Sequence, residues 1–292
     1  MRMVIKMNKS EQVDRLEVIA SRCRENVIRM IKASGHGHVG GALSCIDIVT
    51  AVYFYAMNID PQDPKKEDRD RFILSAGHKC LAQYAVLAEK GFFPKDILDT
   101  YGDLHASIPG HPDMHKLPGV EANTGALGHG LSIACGMAAG IKNKGGKVFV
   151  VMGDGELPEG SNWEAASFAA NFHLDNLVLF VDYNGLQISG KVEDVMNMTP
   201  IDKHFEGFGW NVINIDGNDM SQIVEVLDRV PLSKGKPTVI VASTIKCKGI
   251  SAGEGNAAYH YWSPTQDEVQ SAEDEIRNRT IALERKMLGD EK

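Results

Sequence analysis

Two side chains could do metal chemistry. Asp154 sits in the turn Gly153-Asp154-Gly155, and Asn184 follows it at the end of VDYN. One carboxylate and one amide oxygen, flanked by glycines that let the backbone come close, suit a small hard cation such as Mg²⁺. That ion prefers oxygen ligands in an octahedron and commonly shares its shell with substrate phosphates. A Gly-Asp-Gly turn on its own is also a common tight turn with no ligand at all. The second oxygen, placed after the following strand, favours the metal reading.

Those two residues need elements to bring them together. Lys147–Met152 and Asn176–Val181 are short apolar runs without polar alternation, the pattern of parallel strands buried on both faces. Between them Ser161-Asn162-Trp163-Glu164 reads as a capping box opening a helix to about Asn171. The crossover is expected to be right-handed, which makes the strands parallel. If the strands are neighbours, Asp154 and Asn184 lie side by side at the carboxyl edge, where open α/β sheets take their ligands. The Gly155 N–H and the amino end of the next helix then face phosphate.

The 292 residues are 43% hydrophobic and 24% charged, ordinary globular values with enough apolar content for a substantial core. Net charge is −8, which argues against a broad nucleic-acid surface. The start MRMVIKMNKS lacks the apolar core of a signal peptide, and no later run reads as a membrane span, so a cytoplasmic protein is expected. Cys23, Cys45, Cys80, Cys135 and Cys247 are scattered and never form CxxC; buried thiols are expected rather than a disulfide framework.

Further elements follow from periodicity. Glu11 to Ala33 is an amphipathic helix, Ser44 to Met57 a core helix, Arg71–Ser75 a strand, and Leu131 to Ile141 a helix rich in small residues. Asn211–Ile215 and Thr238–Ser243 extend the sheet, with a helix capped by Asp219 between them and a charged helix from Thr265 to Leu288 after them. The expectation is one α/β unit over residues 1–292: a three-layer, doubly wound, mostly parallel sheet with helices on both faces and a C-terminal helical extension. Gly35-His36-Gly37-His38-Val39-Gly40 matches GxGxxG, but a helix precedes it where a dinucleotide site needs a strand. His105, His111 and His115 share a Pro- and Gly-rich loop; zinc would want three or four N or S ligands there, and no thiol is near.

The pairing of GDG with VDYNGLQISG resembles the diphosphate and metal motif of thiamine diphosphate enzymes, and the surroundings from Ser34 to His260 are similar to transketolases. The resemblance implies that Asp154, Asn184 and the Leu186 carbonyl hold Mg²⁺, with Ca²⁺ or Mn²⁺ able to substitute. Gly153, Gly155, Glu159 and Asn184 would then meet the cofactor diphosphate. SGHGHVGG resembles an SGHPG-type loop and puts His36 at the substrate-facing position, with no role for His38. LSAGH puts His78 against diphosphate and substrate, and IPGHPD puts His111 in the substrate channel. TGALGHG resembles TGPLGQG, whose Gly125 and Leu127 positions meet the aminopyrimidine. TIKCKG and the later YHYW place Lys246 and His260 in the active site, although the glycine that normally follows the histidine is Tyr261 here.

On this resemblance His36, His78, His111 and His260 are the catalytic set, and the reaction is transfer of a two-carbon ketol unit from a ketose phosphate to an aldose phosphate. The chain ends where a full-length relative continues into its pyrimidine-binding domain. The implied partner is a C-terminal transketolase subunit in an α2β2 heterotetramer, with sugar phosphates as ligands and neither nucleic acid nor membrane. Rival readings are the corresponding half of a deoxyxylulose phosphate synthase, dihydroxyacetone synthase or sulfosugar transketolase, and a non-catalytic scaffold of the same fold.

Overall fold

A computed structural model describes residues 7–289. Residues 1–6, part of the stretch read for a signal peptide, lie outside that range. The first helix, α1 (Lys9–Ser34), starts at Asn8, which accepts from Glu11 N while the Glu11 side chain accepts from Asn8 N. It ends at Gly35 in the left-handed conformation at φ 75°, a geometry that costs a side-chain-bearing residue but not glycine. Helix α2 (Val39–Ala51) follows almost at once and is buried along its whole length. A π turn, Val52–Ala56, continues it.

Helix α2 begins five residues earlier than the expected start at Ser44. Gly40 and Gly41 read as loop because glycine is a poor helix former. Here they occupy the first turn for a steric reason: a Cβ on Gly40 would lie 2.6 Å from the Tyr259 carbonyl oxygen, and one on Gly41 3.0 Å from Lys79 Cε. The continuous stretch Val39–Ala56 is long and apolar enough to cross a membrane, contrary to the reading that no such run exists. It is 83% buried among the other elements, as a core helix should be.

Five strands form one sheet: β1 (Arg71–Leu74), β2 (Val148–Gly153), β3 (Leu177–Tyr183), β4 (Asn211–Asp216) and β5 (Thr238–Ser243). Their order is β1-β2-β3-β5-β4 and every pairing is parallel. The crossovers are α3 (Cys80–Lys90) and α4 (Gly130–Ile141) between β1 and β2, α5 (Gly160–Asn171) between β2 and β3, then short α6 (Val192–Val195) and α7 (Ile201–Gly207) before β4, and α8 (Met220–Leu227) before β5. Helix α9 (Gln266–Leu288) closes the fold, capped by Thr265. Helices α3, α6 and α7 go beyond the elements expected from periodicity.

Alternate strand residues feed two cores. Phe72, Phe149, Val151, Phe180 and Ile240 pack with α1, α2, α3 and α8 on one face. Ile73, Val150, Leu179, Val181 and Val239 pack with α4 and α5 on the other. This is the three-layer α/β architecture expected from the double-sided apolar strands. Because all strands run the same way, their carboxyl ends share one edge. The five cysteines are free and buried.

Layer and edge are tied together by a buried ion pair. Arg24 on α1 donates through both terminal nitrogens to the Asp47 carboxylate on α2, at 2.8 and 2.7 Å, and through Nε to the Lys248 carbonyl at 3.1 Å. Asn218 joins from the β4 end, donating to Asp47 at 2.9 Å. Removing one partner of such a pair typically costs about 3–5 kcal/mol, because the other charge is left dry and unpaired.

Candidate active site

The carboxyl edge opens into a cleft of about 310 Å³ built from the start of α2 and the loops that follow β1, β2, β3 and β5. Gly153 stands opposite Asp182 in the β2–β3 register, so Asp154, one residue on, and Asn184, two residues on, emerge at the same edge. Asp154 accepts from Gly155 N at 2.7 Å and from Gly185 N at 2.6 Å. Asn184 Oδ1 accepts from Leu186 N at 3.1 Å, and the Leu186 carbonyl accepts from Lys246 Nζ at 3.2 Å. Burial, reinforced by Asp182 and opposed by Lys79, pushes the Asp154 carboxyl up to about 6. A cation there would remove that penalty.

Glu156 and Ser161 fix the neighbouring loop. Glu156 accepts from Ser75 Oγ and from Gly128 N, while Ser161 Oγ donates to the Gly128 carbonyl at 2.8 Å. Gly128, at φ 85°, is thus gripped from both sides, and Gly125 and Leu127 are presented to the cleft. Ser161 is therefore spent on this loop. Helix α5 has Glu159 as its N-cap with no side-chain capping bond, so the expected capping box does not form. Glu159 is exposed and outside the cleft lining; Glu156, two positions after Asp154, lines it instead.

The same cleft holds a group of imidazoles. His38, His78 and His260 line the cleft. Ring centroids are 5.3 Å apart for His38 and His78, 5.5 Å for His38 and His260, and 5.3 Å for His78 and His260. His111 stands 6.4 Å from His38, with its ring against Gly125, where a Cβ would meet it at 2.7 Å. Burial, with the charge of Lys79, drives His78 far down, and burial with Lys246 lowers His260 to about 4. Lys246 itself is lowered to about 8 by burial and by Lys79. Its ammonium can only donate to His260 Nδ1, 3.3 Å away, so the proton of the neutral ring sits on Nε2.

The structure gathers His78, His260, Gly125, Leu127, Gly153, Asp154, Gly155, Asn184, Leu186 and Lys246 in one cleft, with His111 beside it. It does not bring His36 in. Gly37 pairs with Trp262 in an isolated antiparallel bridge, and the chain turns inward only after it. His36 stays exposed on the rim, stacked on Tyr261, whose hydroxyl meets His36 Nδ1 at 2.6 Å; His38 takes the interior position. The signal was present in the sequence: the apolar run of α2 starts right after His38, which makes that residue a helix-start residue aimed at the edge. His105, His115 and His129 are exposed and outside the cleft lining.

The family described as "Transketolase, thiamine diphosphate binding domain" matches residues 16–279. The chain belongs to the transketolase family. It is 43% identical to one subunit of an apulose-4-phosphate transketolase from Actinobacillus succinogenes, over 91% of this chain and 97% of that protein. It is 39% identical to a 6-deoxy-6-sulfo-D-fructose transketolase subunit from Clostridium sp., over 91% and 98%. The solved transketolase of Campylobacter jejuni superposes with a TM-score of 0.83 at 29% identity, over 96% of this chain but 47% of that one. This transketolase-family chain therefore spans nearly the whole of those two relatives and about half of the solved transketolase.

The residues present fit thiamine diphosphate. The cleft is floored by Gly41, Gly153 and Gly155, and the buried Gln187 Nε2, beside Gly155, has no hydrogen-bond partner among the described residues. An unmade donor beside glycines that leave room for a ligand suits the oxygens of a diphosphate. Among the described residues no three His, Cys, Asp or Glu side chains cluster to hold a metal. The expected set is of another kind, one carboxylate, one amide and one carbonyl, which leaves room for phosphate oxygens to complete the shell.

Proposed function

We propose that this chain is the diphosphate-holding half of a two-chain transketolase, moving a two-carbon ketol unit from a ketose phosphate to an aldose phosphate. The observation that carries the reading is that three hard oxygens, Asp154, Asn184 and the Leu186 carbonyl, line one cleft together with the imidazoles of His38, His78 and His260. Residues 1–292 act as one diphosphate-binding domain. A separate C-terminal chain supplies the pyrimidine-binding half in an α2β2 assembly, which accords with relatives that are themselves named as subunits and with the half coverage of the solved transketolase.

Asp154, Asn184 and Leu186 would hold Mg²⁺ against the diphosphate, with Ca²⁺ or Mn²⁺ as substitutes, Gln187 and His78 would bind its oxygens, and Gly153 and Gly155 would give them room. When bound, thiamine diphosphate supplies the carbon nucleophile and electron sink that allow the carbon–carbon bond to break. The chain's own residues handle protons. His260, neutral with its proton on Nε2, donates to a sugar oxygen and can take the proton back. His38, close to both His78 and His260, faces the same hydroxyls; its burial lowers its pKa, so it too stays neutral at pH 7. His111 contacts the ketol end. Lys246 orients His260 through Nδ1 and polarises the Leu186 carbonyl. With His36 on the rim, its role moves to His38.

The relatives act on different sugars by name, and a sulfosugar transketolase half is the second reading, favoured by the 39% identity to the sulfofructose relative. The deciding assay mixes this chain with a C-terminal transketolase half, then follows ketol transfer from phosphorylated and sulfonated ketoses. Robust transfer by this chain alone would sink the two-chain proposal.

A further inference from the structure

Lys79 has no part in the metal binding or proton transfer proposed for the cleft, yet it is built into the same wall. It follows His78 and is 3% exposed. Its ammonium donates to Asp182 Oδ2 at 2.6 Å, and Asp182 is fully buried. Asp182 also accepts from Ser44 Oγ at 2.5 Å, from Thr244 Oγ1 and from Asn184 Nδ2 at 3.4 Å. Burial alone would lower the lysine, but Asp182 outweighs it and the net shift is upward, so the ammonium stays charged.

An ammonium has three donors. The Asp182 bond uses one of them, and among the described residues no other acceptor makes a hydrogen bond with Nζ. The other two are left in a nearly dry site that opens on the cleft Lys79 lines. Leaving buried charged donors unmade is costly, so a ligand with several anionic oxygens is the expected complement. Glycines on either side make room for this side chain. A Cβ on Gly153 would lie 3.2 Å from Nζ, and one on Gly41 3.0 Å from Cε. The Lys79 stem threads between the two and delivers its charge beside the Gly153-Asp154-Gly155 turn.

We infer that Lys79 is a diphosphate-binding residue, a buried cation that shares its ammonium between Asp182 and the anionic oxygens of the cofactor. Through Asp182 it also holds the Asn184 amide nitrogen, which leaves the amide oxygen to accept from Leu186 N. The inference rests on the thiamine diphosphate reading of the cleft.

The test is calorimetry of the full chain assembled with a C-terminal transketolase half, titrated with thiamine diphosphate, pyrophosphate and thiamine, each with Mg²⁺, on wild type, Lys79→Met and the double variant Lys79→Met/Asp182→Asn. The double variant removes the whole ion pair, so it keeps a fold that the single variant could lose; thermal melting reports this. The expected result is a loss of affinity for thiamine diphosphate and pyrophosphate of about tenfold or more in both variants, the scale of one charge-assisted hydrogen bond. Thiamine, which has no phosphate, should change less than about twofold by the same reasoning. Recovery of diphosphate affinity in the double variant would show that Lys79 only neutralises Asp182, and would overturn the inference. Failure of the wild-type assembly to bind either diphosphate would overturn the cofactor reading beneath it.

Discussion

The two walls of the cleft are made in different ways. The oxygen wall comes from consecutive strands: β2 and β3 are neighbours in register, so Asp154, Asn184 and Leu186 are set by one βαβ unit and its two turns. The imidazole wall comes from three separate places in the chain. His38 enters from the start of α2, His78 from the end of β1 and His260 from the long loop after β5, and they meet because Gly37 pairs with Trp262 and Cys247 N donates to the Gly40 carbonyl. A wall made locally tolerates change elsewhere, whereas one assembled from distant loops depends on every tie between them. On the function proposed above the chemistry would divide the same way, with charge and anion binding on the first wall and proton transfer between neutral groups on the second.

The comparison can be broken most sharply at the oxygen wall. Asp154→Ala is expected to abolish Mg²⁺-dependent binding of thiamine diphosphate, by more than about 100-fold, since even partners one step removed from a metal cost about 10- to 100-fold. Unchanged affinity by calorimetry would remove Asp154 from the ligand set. At the imidazole wall the contrast is internal. His38→Asn in the assembled enzyme should lower kcat by about 100-fold, the lower end for losing a proton-transfer group, while His36→Asn should change it by less than about threefold. Equal losses would mean that rim and interior histidines work together.

The walls should also differ with pH. His78 and His260 are held neutral, so below the ordinary histidine pKa near 6.5 the unfolded chain binds protons that the folded chain refuses. Their contribution to stability is therefore constant above that pH and falls as pH drops from about 6.5 toward 4, where His260 begins to titrate in the fold. A melting curve series over that window should be flatter for His260→Asn; identical slopes would show that the ring is not kept neutral. The smallest effect belongs to the loop that joins the walls. Ser161→Ala removes one hydrogen bond to the Gly128 carbonyl and should cost about 1 kcal/mol in urea unfolding, with a larger proportional loss in cofactor affinity than in stability.

The sequence by itself determined the parallel sheet, because strands buried on both faces must be apolar throughout, and it determined the oxygen pair, because both residues follow such strands directly. Strand β5 was legible to the residue, as was the cap Asp219. What tertiary structure alone decided was which polar groups meet. The early start of α2, the presence of His38 rather than His36 and of Glu156 rather than Glu159 in the cleft lining, and the Lys79–Asp182 pair all depend on contacts across long separations in the chain. A glycine that lowers helix propensity in isolation was required inside α2 because a carbonyl from residue 259 comes too close for a Cβ. Local pattern records what each segment prefers to bury. It carries no record of which distant backbone will press against it, and that pressure chose the residues that face the cleft.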